Sequence, residues 1–461
     1  MPPAGKLILE LGGIATKKIG EGTCGGKTRR LEQFKDAIEK HPNLIIPPYQ
    51  SLPIEFFMPA LKRAGWIGDN NEPTTKERSI ADIKFDKHEL EILRSIYNSF
   101  KNRLLFIRSD ERSAKGIGLY ESYPTAIIGK KGEFEQFVRF VKAVIGSQFA
   151  ENADIFRKIK GWPTGIGIMF MQAAGENFGD EIGRSRVRKD TYGPIVSIAG
   201  LTLKQEGTIS ITIGNGFGGG VQQDAYPYKT GMDGFFLEFN DRWRLKTFDA
   251  LKGEFREEDT NMVPTLIRFN CLPSKQAIKN GIMKALGGML RIAGEVGSDI
   301  YFEINSVDIV NGIFAVTQID EHNWNRTEKP PGKTIWETNG FGQVVGSGIL
   351  KFRKYVYAPD SGDRDLEAIL TKKNEPLIIT NHTPTSVGEI IRCGAIIDSA
   401  RGWHGRCFSS HAHGSIREAG RIMMHNLEDL AFLRNALQYR RGKTIVVWAD
   451  EYSDKGGIVL Q

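Results

Sequence analysis

The sequence predicts an α+β / α/β chain in two parts. Residues 1–325 mix helices with largely antiparallel sheet, in what reads as two subdomains, and residues 341–461 form an α/β domain. Three observations carry this. Amphipathic helical stretches and short apolar runs alternate irregularly through the first part. Between 195 and 320 the pattern is mostly strand, interrupted by one helix at about 275–294. The polar stretch Glu328-Lys-Pro-Pro-Gly-Lys333 then marks a linker, placed at 326–340, and beyond it strands alternate with helical segments.

In chain order, Leu7–Leu11 reads as a strand and leads through a Gly-rich loop to Gly25-Gly-Lys27. A helix follows from Thr28, with Leu31, Phe34 and Ile38 at helical spacing, and Ile45-Ile-Pro-Pro48 breaks it. Residues 88–101 form an amphipathic helix on Leu90, Ile92, Leu93, Ile96 and Tyr97. The short buried strand Leu104–Ile107 stops at Arg108-Ser109-Asp110. Residues 133–149 are helical and Gly165–Gln172 is a central strand. Further strands are expected at 195–198, 208–213, 262–269, 300–304 and 313–319. In the last part, strands at 343–349, 377–379, 395–397 and 444–448 alternate with helices at 385–392, 414–419 and 427–436.

With 461 residues the chain can bury a large core, and 40% hydrophobic with 25% charged residues is ordinary for a globular protein. No stretch approaches the roughly 20 consecutive apolar residues of a membrane span, and the N-terminus has no apolar h-region, so a cytoplasmic location is expected. Cys24, Cys271, Cys393 and Cys407 are far apart with no C-x-x-C pair, which predicts a reduced protein. Net charge is +7 with a pI near 9.0, yet acidic and basic residues are interleaved, and the densest basic runs, 184–189 and 440–443, are short. The charge favours anionic ligands in general; nucleic acid is the less favoured partner.

Several residues carry possible chemistry. Gly25-Gly-Lys27-Thr28 resembles the end of a Walker A loop, but position 21 is Glu where that pattern needs Gly. A Gly-rich turn leading into a helix still favours an anion, and Lys27 adds a point charge; the plainer alternative is an exposed lysine beside a turn. Arg108, ending a buried strand beside Gly116-Ile-Gly118, suits a phosphate clamp, or else a surface ion pair with Asp110 or Glu111. The cluster Gly214–Gly220 permits close backbone approach to a ligand or simply turns a hairpin. Glu303 and Gln318, on neighbouring strands, offer two oxygens to Mg²⁺, or pair on the surface.

The sharpest local feature is His404-Gly-Arg-Cys407-Phe-Ser-Ser-His411-Ala-His413-Gly-Ser-Ile-Arg417-Glu418-Ala-Gly420. It admits a metal site, although H-x2-C-x3-H-x-H matches no common zinc module. It also admits structural histidines in a polar loop, or one nucleophilic histidine at a helix N-terminus that takes a phosphoryl group.

Taken in order, these fragments resemble the pyruvate phosphate dikinase and phosphoenolpyruvate synthase family. Gly-Gly-Lys27, the helix after it and Ile-Pro-Pro resemble the family's opening; Phe106-Ile-Arg108-Ser109 through Gly118-Leu-Tyr-Glu121 resembles its VRSS…GxYET stretch. Met171-Gln172 and Gly216–Val221 resemble its central strand and its GLGExV loop. Ser410-His411-Ala-His-Gly-Ser-Ile-Arg417-Glu418-Ala-Gly420 resembles SHAAIVARELG at matching spacing, with Asn381–Thr385 like its TxPD turn and the last strands like its closing hairpin.

The resemblance implies an N-terminal ATP-grasp-like nucleotide-binding region and a C-terminal swivelling β/β/α phosphohistidine domain. It implies that His411 carries the phosphoryl group and that Lys27 and Arg108 act on the ATP phosphates. Gln172, Glu303 and Gln318 would lie at the nucleotide, Glu303 and Gln318 holding Mg²⁺, with Tyr301 or Asp299 at the other acidic position. ATP would give AMP, and the phosphoryl would pass from His411 to a small-molecule or protein acceptor. The chain departs from the family in three places: Gly219 stands for the glutamate of GLGE, Gly405–Ser409 for the Gly-Gly-x-Thr run, and His413 for an Ala. The family's pyruvate-binding barrel does not follow the last domain here, so pyruvate is not expected as a substrate of this chain alone. A partner-dependent ATP-binding subunit is the rival expectation.

Overall fold

Helix α1 (Gly26–Glu39) buries Leu31, Phe34 and Ile38, the residues the sequence spaces three and four apart. It lies between β1 (Lys17–Lys18) and the strands β2 (Leu44–Ile45) and β3 (Tyr49–Leu52). The computed structural model describes residues 17–75, 77–101, 103–111, 120–127, 131–174, 176–177, 192–193, 196–203, 208–215, 233–238, 244–249, 254–258, 275–338, 344–358, 375–380, 391–398, 416–425, 430–439, 442–453 and 455–461. The chain divides into two units. One comprises 1–198, 215–218 and 263–321; the other comprises 199–214, 219–262 and 322–461.

In the first unit, α2 (Ile54–Arg63), α3 (Lys87–Ser99), β4 (Arg103–Asp110), β5 (Ser122–Ile127), α4 (Glu133–Ser147), α5 (Glu151–Lys160) and β6 (Gly167–Gln172) follow in turn. Asp86 starts α3 with a capping box: its carboxylate accepts from Glu89 N, and the Glu89 side chain accepts from Asp86 N. Five strands form a sheet in the order β1-β3-β6-β4-β5, parallel only between β1 and β3. One face is covered by α2, α3 and α4 through Phe57, Leu93, Ile96, Phe137 and Val141, packed on Leu105, Ile107, Ile168 and Phe170.

Strand β4 runs three residues further than expected, through Arg108, Ser109 and Asp110. All three stay in register with β6, opposite Met169, Ile168 and Gly167. Strands β7 (Glu176–Asn177) and β8 (Tyr192–Gly193) make a small antiparallel pair. Strands β9 (Val196–Leu203), β10 (Thr208–Asn215), β11 (Asp233–Glu238), β12 (Arg244–Asp249) and β13 (Glu254–Glu258) come next, antiparallel from β10 to β13. The strand expected at 262–269 lies outside the described residues. Helix α6 (Lys275–Val296) leads to β14 (Asp299–Asp308) and β15 (Ile313–His322), which are sheet neighbours, and β2 adds to β15 in parallel.

The last part contains two sheets. Strands β16 (Lys333–Glu337), β17 (Val344–Val345), β18 (Gly348–Phe352), β19 (Tyr355–Ala358), β20 (Leu377–Thr380), β21 (Ala395–Asp398) and β22 (Ile422–His425) precede helix α7 (Leu430–Gln438) and strands β23 (Ile445–Asp450) and β24 (Lys455–Leu460). One sheet runs β16-β24-β23-β18 and is antiparallel; the other runs β17-β22-β21-β20-β19 and is parallel except at β17. The parallel strands are apolar at successive positions because both faces are covered. Leu377, Ile379, Ile397 and Met424 meet Ile445, Val447, Ile458 and α7 on one side, and Ile378, Ile396 and Met423 pack with Cys393 and Ile416 on the other.

Two boundaries differ from expectation. Residues 333–337, read as linker, pair with β24, and the strand expected at 343–349 is two strands separated by Gly346 and Ser347. No helix among the described residues is long and apolar enough to cross a membrane.

Candidate active site

Alternation along β4 sets the geometry. Leu105 and Ile107 point into the helical core, so Arg108 and Asp110 leave from the opposite face. Arg108 is there met by β14 and β15. Its Nη1 donates to Thr317 O at 2.8 Å, and its Nη2 stands 3.1 Å from both Glu303 Oε2 and Gln318 Oε1. Tyr301 donates its hydroxyl to Glu303 Oε1 at 2.9 Å, and the Thr317 hydroxyl donates to Glu303 O. Glu303 and Gln318 are buried, one on each of two adjacent strands, and both bring an oxygen to one guanidinium. The surface ion pair with Asp110 or Glu111, the plainer reading of Arg108, is not formed.

Asp110 instead closes the N-terminus of α1. Its Oδ2 accepts from Gly25 N at 3.0 Å and from the Thr28 hydroxyl at 2.6 Å, and its Oδ1 accepts from Thr28 N at 3.3 Å. Gly26 N donates to Glu111 O. Position 25 requires glycine, since a Cβ there would stand 2.0 Å from the Asp110 carbonyl oxygen. The orphan N–H groups and positive end of α1 therefore hold a carboxylate of the chain itself. Lys27, expected as an exposed lysine or a phosphate ligand, is 5% exposed. Its Nζ donates to Ser109 O at 2.8 Å and to Glu111 Oε1 and Oε2 at 2.8 and 2.6 Å.

Burial pushes the carboxyls of Asp110 and Glu111 up from their ordinary values. Hydrogen bonds from Thr28 and the charge of Lys27 partly oppose this at Asp110, and Lys27 does so at Glu111. Gln172, at the end of β6, takes a hydrogen bond from Arg103 Nη1 at 2.6 Å, while its N–H donates to Pro48 O.

Of the residues singled out in the sequence, then, Arg108, Glu303 and Gln318 form one cluster. Lys27 sits at the neighbouring positions of β4, and Gln172 lies against Arg103. His411, with His404, Cys407 and His413, lies outside the described residues, as do Gly116–Gly118 and most of the Gly214–Gly220 cluster. Asp110 and Glu111 are the parts that sequence reasoning missed. The available signal was their place directly after Arg108-Ser109, where a strand continuing in register buries both.

The arrangement offers a divalent cation two converging neutral or anionic oxygens, Glu303 Oε2 and Gln318 Oε1, now shared by the Arg108 guanidinium. That donor set fits Mg²⁺, which takes one or two protein oxygens and completes its shell with water and phosphate. Among the described residues, no group of three or more His, Cys, Asp and Glu side chains is placed to hold a metal ion.

No protein-family model matches the chain, and no curated protein does. Among solved structures, the chain is similar to an L-amino acid ligase from Bacillus licheniformis. That match has 12% identity and a TM-score of 0.24, and covers 65% of this chain and 43% of that one. A TM-score this low assigns neither fold nor function.

Proposed function

We propose that the chain is an ATP-dependent phosphotransferase of dikinase type, which moves a phosphoryl group from ATP to His411 and on to a small-molecule or protein acceptor. The observation that supports it is the convergence of Arg108 with Glu303 and Gln318, 195 and 210 positions away in sequence. A guanidinium, a buried carboxylate and a buried amide in one cluster match the needs of a bound triphosphate: a bidentate donor for phosphoryl oxygens and oxygen ligands for its metal. Mg²⁺ held by Glu303 and Gln318 would neutralise charge building on the phosphoryl oxygens.

In this reading Arg108 exchanges its contacts to Glu303 and Gln318 for the phosphates, and Lys27 exchanges Glu111 for a phosphoryl oxygen. A neutral His411 nitrogen attacks the β-phosphorus in line; the bond from that phosphorus to the bridging oxygen breaks, and AMP leaves with the oxygen. The terminal phosphate of the pyrophosphorylated histidine then goes to water or inorganic phosphate, and the remaining phosphoryl goes to the acceptor. Because one histidine cannot touch donor and acceptor sites together, the domain that carries it must move between them. The test is mass spectrometry of the protein after incubation with ATP and Mg²⁺ under alkaline conditions, with AMP assayed alongside. Phosphate or pyrophosphate on His411, absent in His411→Ala, is the expected result; labelling retained in His411→Ala sinks the assignment.

A second reading, an ATP-binding subunit whose chemistry depends on a partner chain, draws on a different observation. Asp110 fills the α1 N-terminus and Glu111 holds Lys27, so both cationic features answer to internal carboxylates first. It expects ATP binding with no AMP formed until the partner is supplied.

A further inference from the structure

The last part of the chain holds a cavity of about 700 Å³ at the corner where the chain passes from the antiparallel sheet to the parallel one. Its lining begins in β18, follows the Arg353-Lys354 turn into β19, and takes in Glu375, Pro376, Gly394 and Arg421. These last four immediately precede β20, β21 and β22, so the cavity opens at the amino ends of the parallel strands. Asp398 ends β21 at the opposite, carboxyl end of the strand.

Charge in this cavity is one-sided. Lys351, Arg353, Lys354 and Arg421 line it with a single acid, Glu375, whereas acidic and basic residues are interleaved through most of the sequence. The Arg421 side chain is 10% exposed; its Nε donates to Ile391 O at 3.4 Å and its Nη2 to Glu375 Oε1. Glu375 is 58% exposed and holds φ at +49°, a left-handed backbone that a residue with a Cβ adopts reluctantly. A strained, solvent-facing carboxylate thus sits on a buried guanidinium, marking where an anionic group is accommodated.

The walls are fixed. The Tyr355 hydroxyl donates to Arg434 O at 3.3 Å, and a Cβ on Gly394 would stand 2.6 Å from Glu375 O and 2.7 Å from the Phe352 ring. A volume of this size is that of a small-molecule site rather than a protein groove.

We propose that this cavity binds a small polyanion bearing phosphate or carboxylate groups, which displaces the Glu375 carboxylate from Arg421 and is flanked by Lys351, Arg353 and Lys354. Arg421 supplies planar donors to the displaced position, and the three exposed cations on the short stretch joining the two sheets neutralise the remaining charge. The site is independent of the nucleotide reading.

Calorimetric titration of the full chain with pyrophosphate, and separately with citrate, tests it. Saturable binding of at least one probe is expected, and the tighter of the two names the class. Arg353→Glu/Lys354→Glu, which alters only exposed turn residues, should weaken binding at least tenfold, and Glu375→Gln, which removes the competing charge, should tighten it. No saturable binding of either probe to the wild type would overturn the proposal. So would binding that the turn variant leaves undiminished, or a Glu375→Gln protein that binds no tighter.

Discussion

At Asp110 and Glu111 two consecutive carboxyls are buried at the end of β4, and the sign of their effect on stability follows from the direction of their shifts. Both folded values are raised from ordinary values of 3.8 and 4.5, with burial as the largest cause. Stability they contribute is therefore full below those ordinary values and is lost as pH rises through the raised folded ones. Glu111→Gln removes one titration; although it strips Lys27 of its counter-charge and lowers stability overall, it should flatten the decline. Urea unfolding across pH should show the wild type losing stability with rising pH faster than the variant; parallel curves would mean that folding does not shift the Glu111 carboxyl. Arg108 makes the opposite case. Truncation to Ala leaves Glu303 buried without its cation, which should cost about 3–5 kcal/mol, and replacing both partners with Met should recover much of it. Equal losses in the single and double variants would show that the pair is not what holds the strands.

At the scale of elements, local signals work where the partner is close in sequence. The capping box at Asp86 needs only Glu89, three residues on, and Asp86→Ala should destabilise by about 1 kcal/mol, read as a fall in Tm; no change in Tm would assign the start of α3 to packing alone. Helices α1, α3, α4 and α6 were legible for the same reason, since their apolar spacing is complete within each segment. Strand β4 was legible only to Ile107. Its last residues are charged or polar, and what keeps them in the sheet is supplied by α1 at Asp110 and by β14 and β15 at Arg108. That dependence also decides how far the candidate site was legible. The residue types Lys27, Arg108, Glu303 and Gln318 stood out, and three of them do meet. That Lys27 answers to Glu111, and the helix terminus to Asp110, depends on contacts spanning more than 80 positions. No periodicity reports those. The strand β16 was hidden in the same way: a stretch rich in Pro, Gly and Lys reads as linker until β24, at the far end of the chain, pairs with it.

Across the whole molecule, stability rests on separate cores. The cluster around Phe137, Leu93 and Phe170 belongs to the first unit, and the cluster joining Ile379, Ile397, Leu433 and Val447 belongs to the second. Among the described residues the two clusters have no member in common, so substitutions in the two should act additively and on different parts of the unfolding curve. Phe137, fully buried among aromatic rings at 5.5 Å from Phe170 and 5.6 Å from Tyr97, should lose about 3–5 kcal/mol on truncation to Ala. Leu433, on the buried stripe of α7 with Leu430 and Leu437, should lose about 2–5 kcal/mol. Differential scanning calorimetry of the full chain is expected to resolve two transitions, with Phe137→Ala lowering one and Leu433→Ala the other. The assignment bears on the proposed function, in which a histidine visiting two sites needs a carrier domain that keeps its own fold while it moves. A single transition shifted by both variants would instead mean that the two units unfold as one cooperative structure.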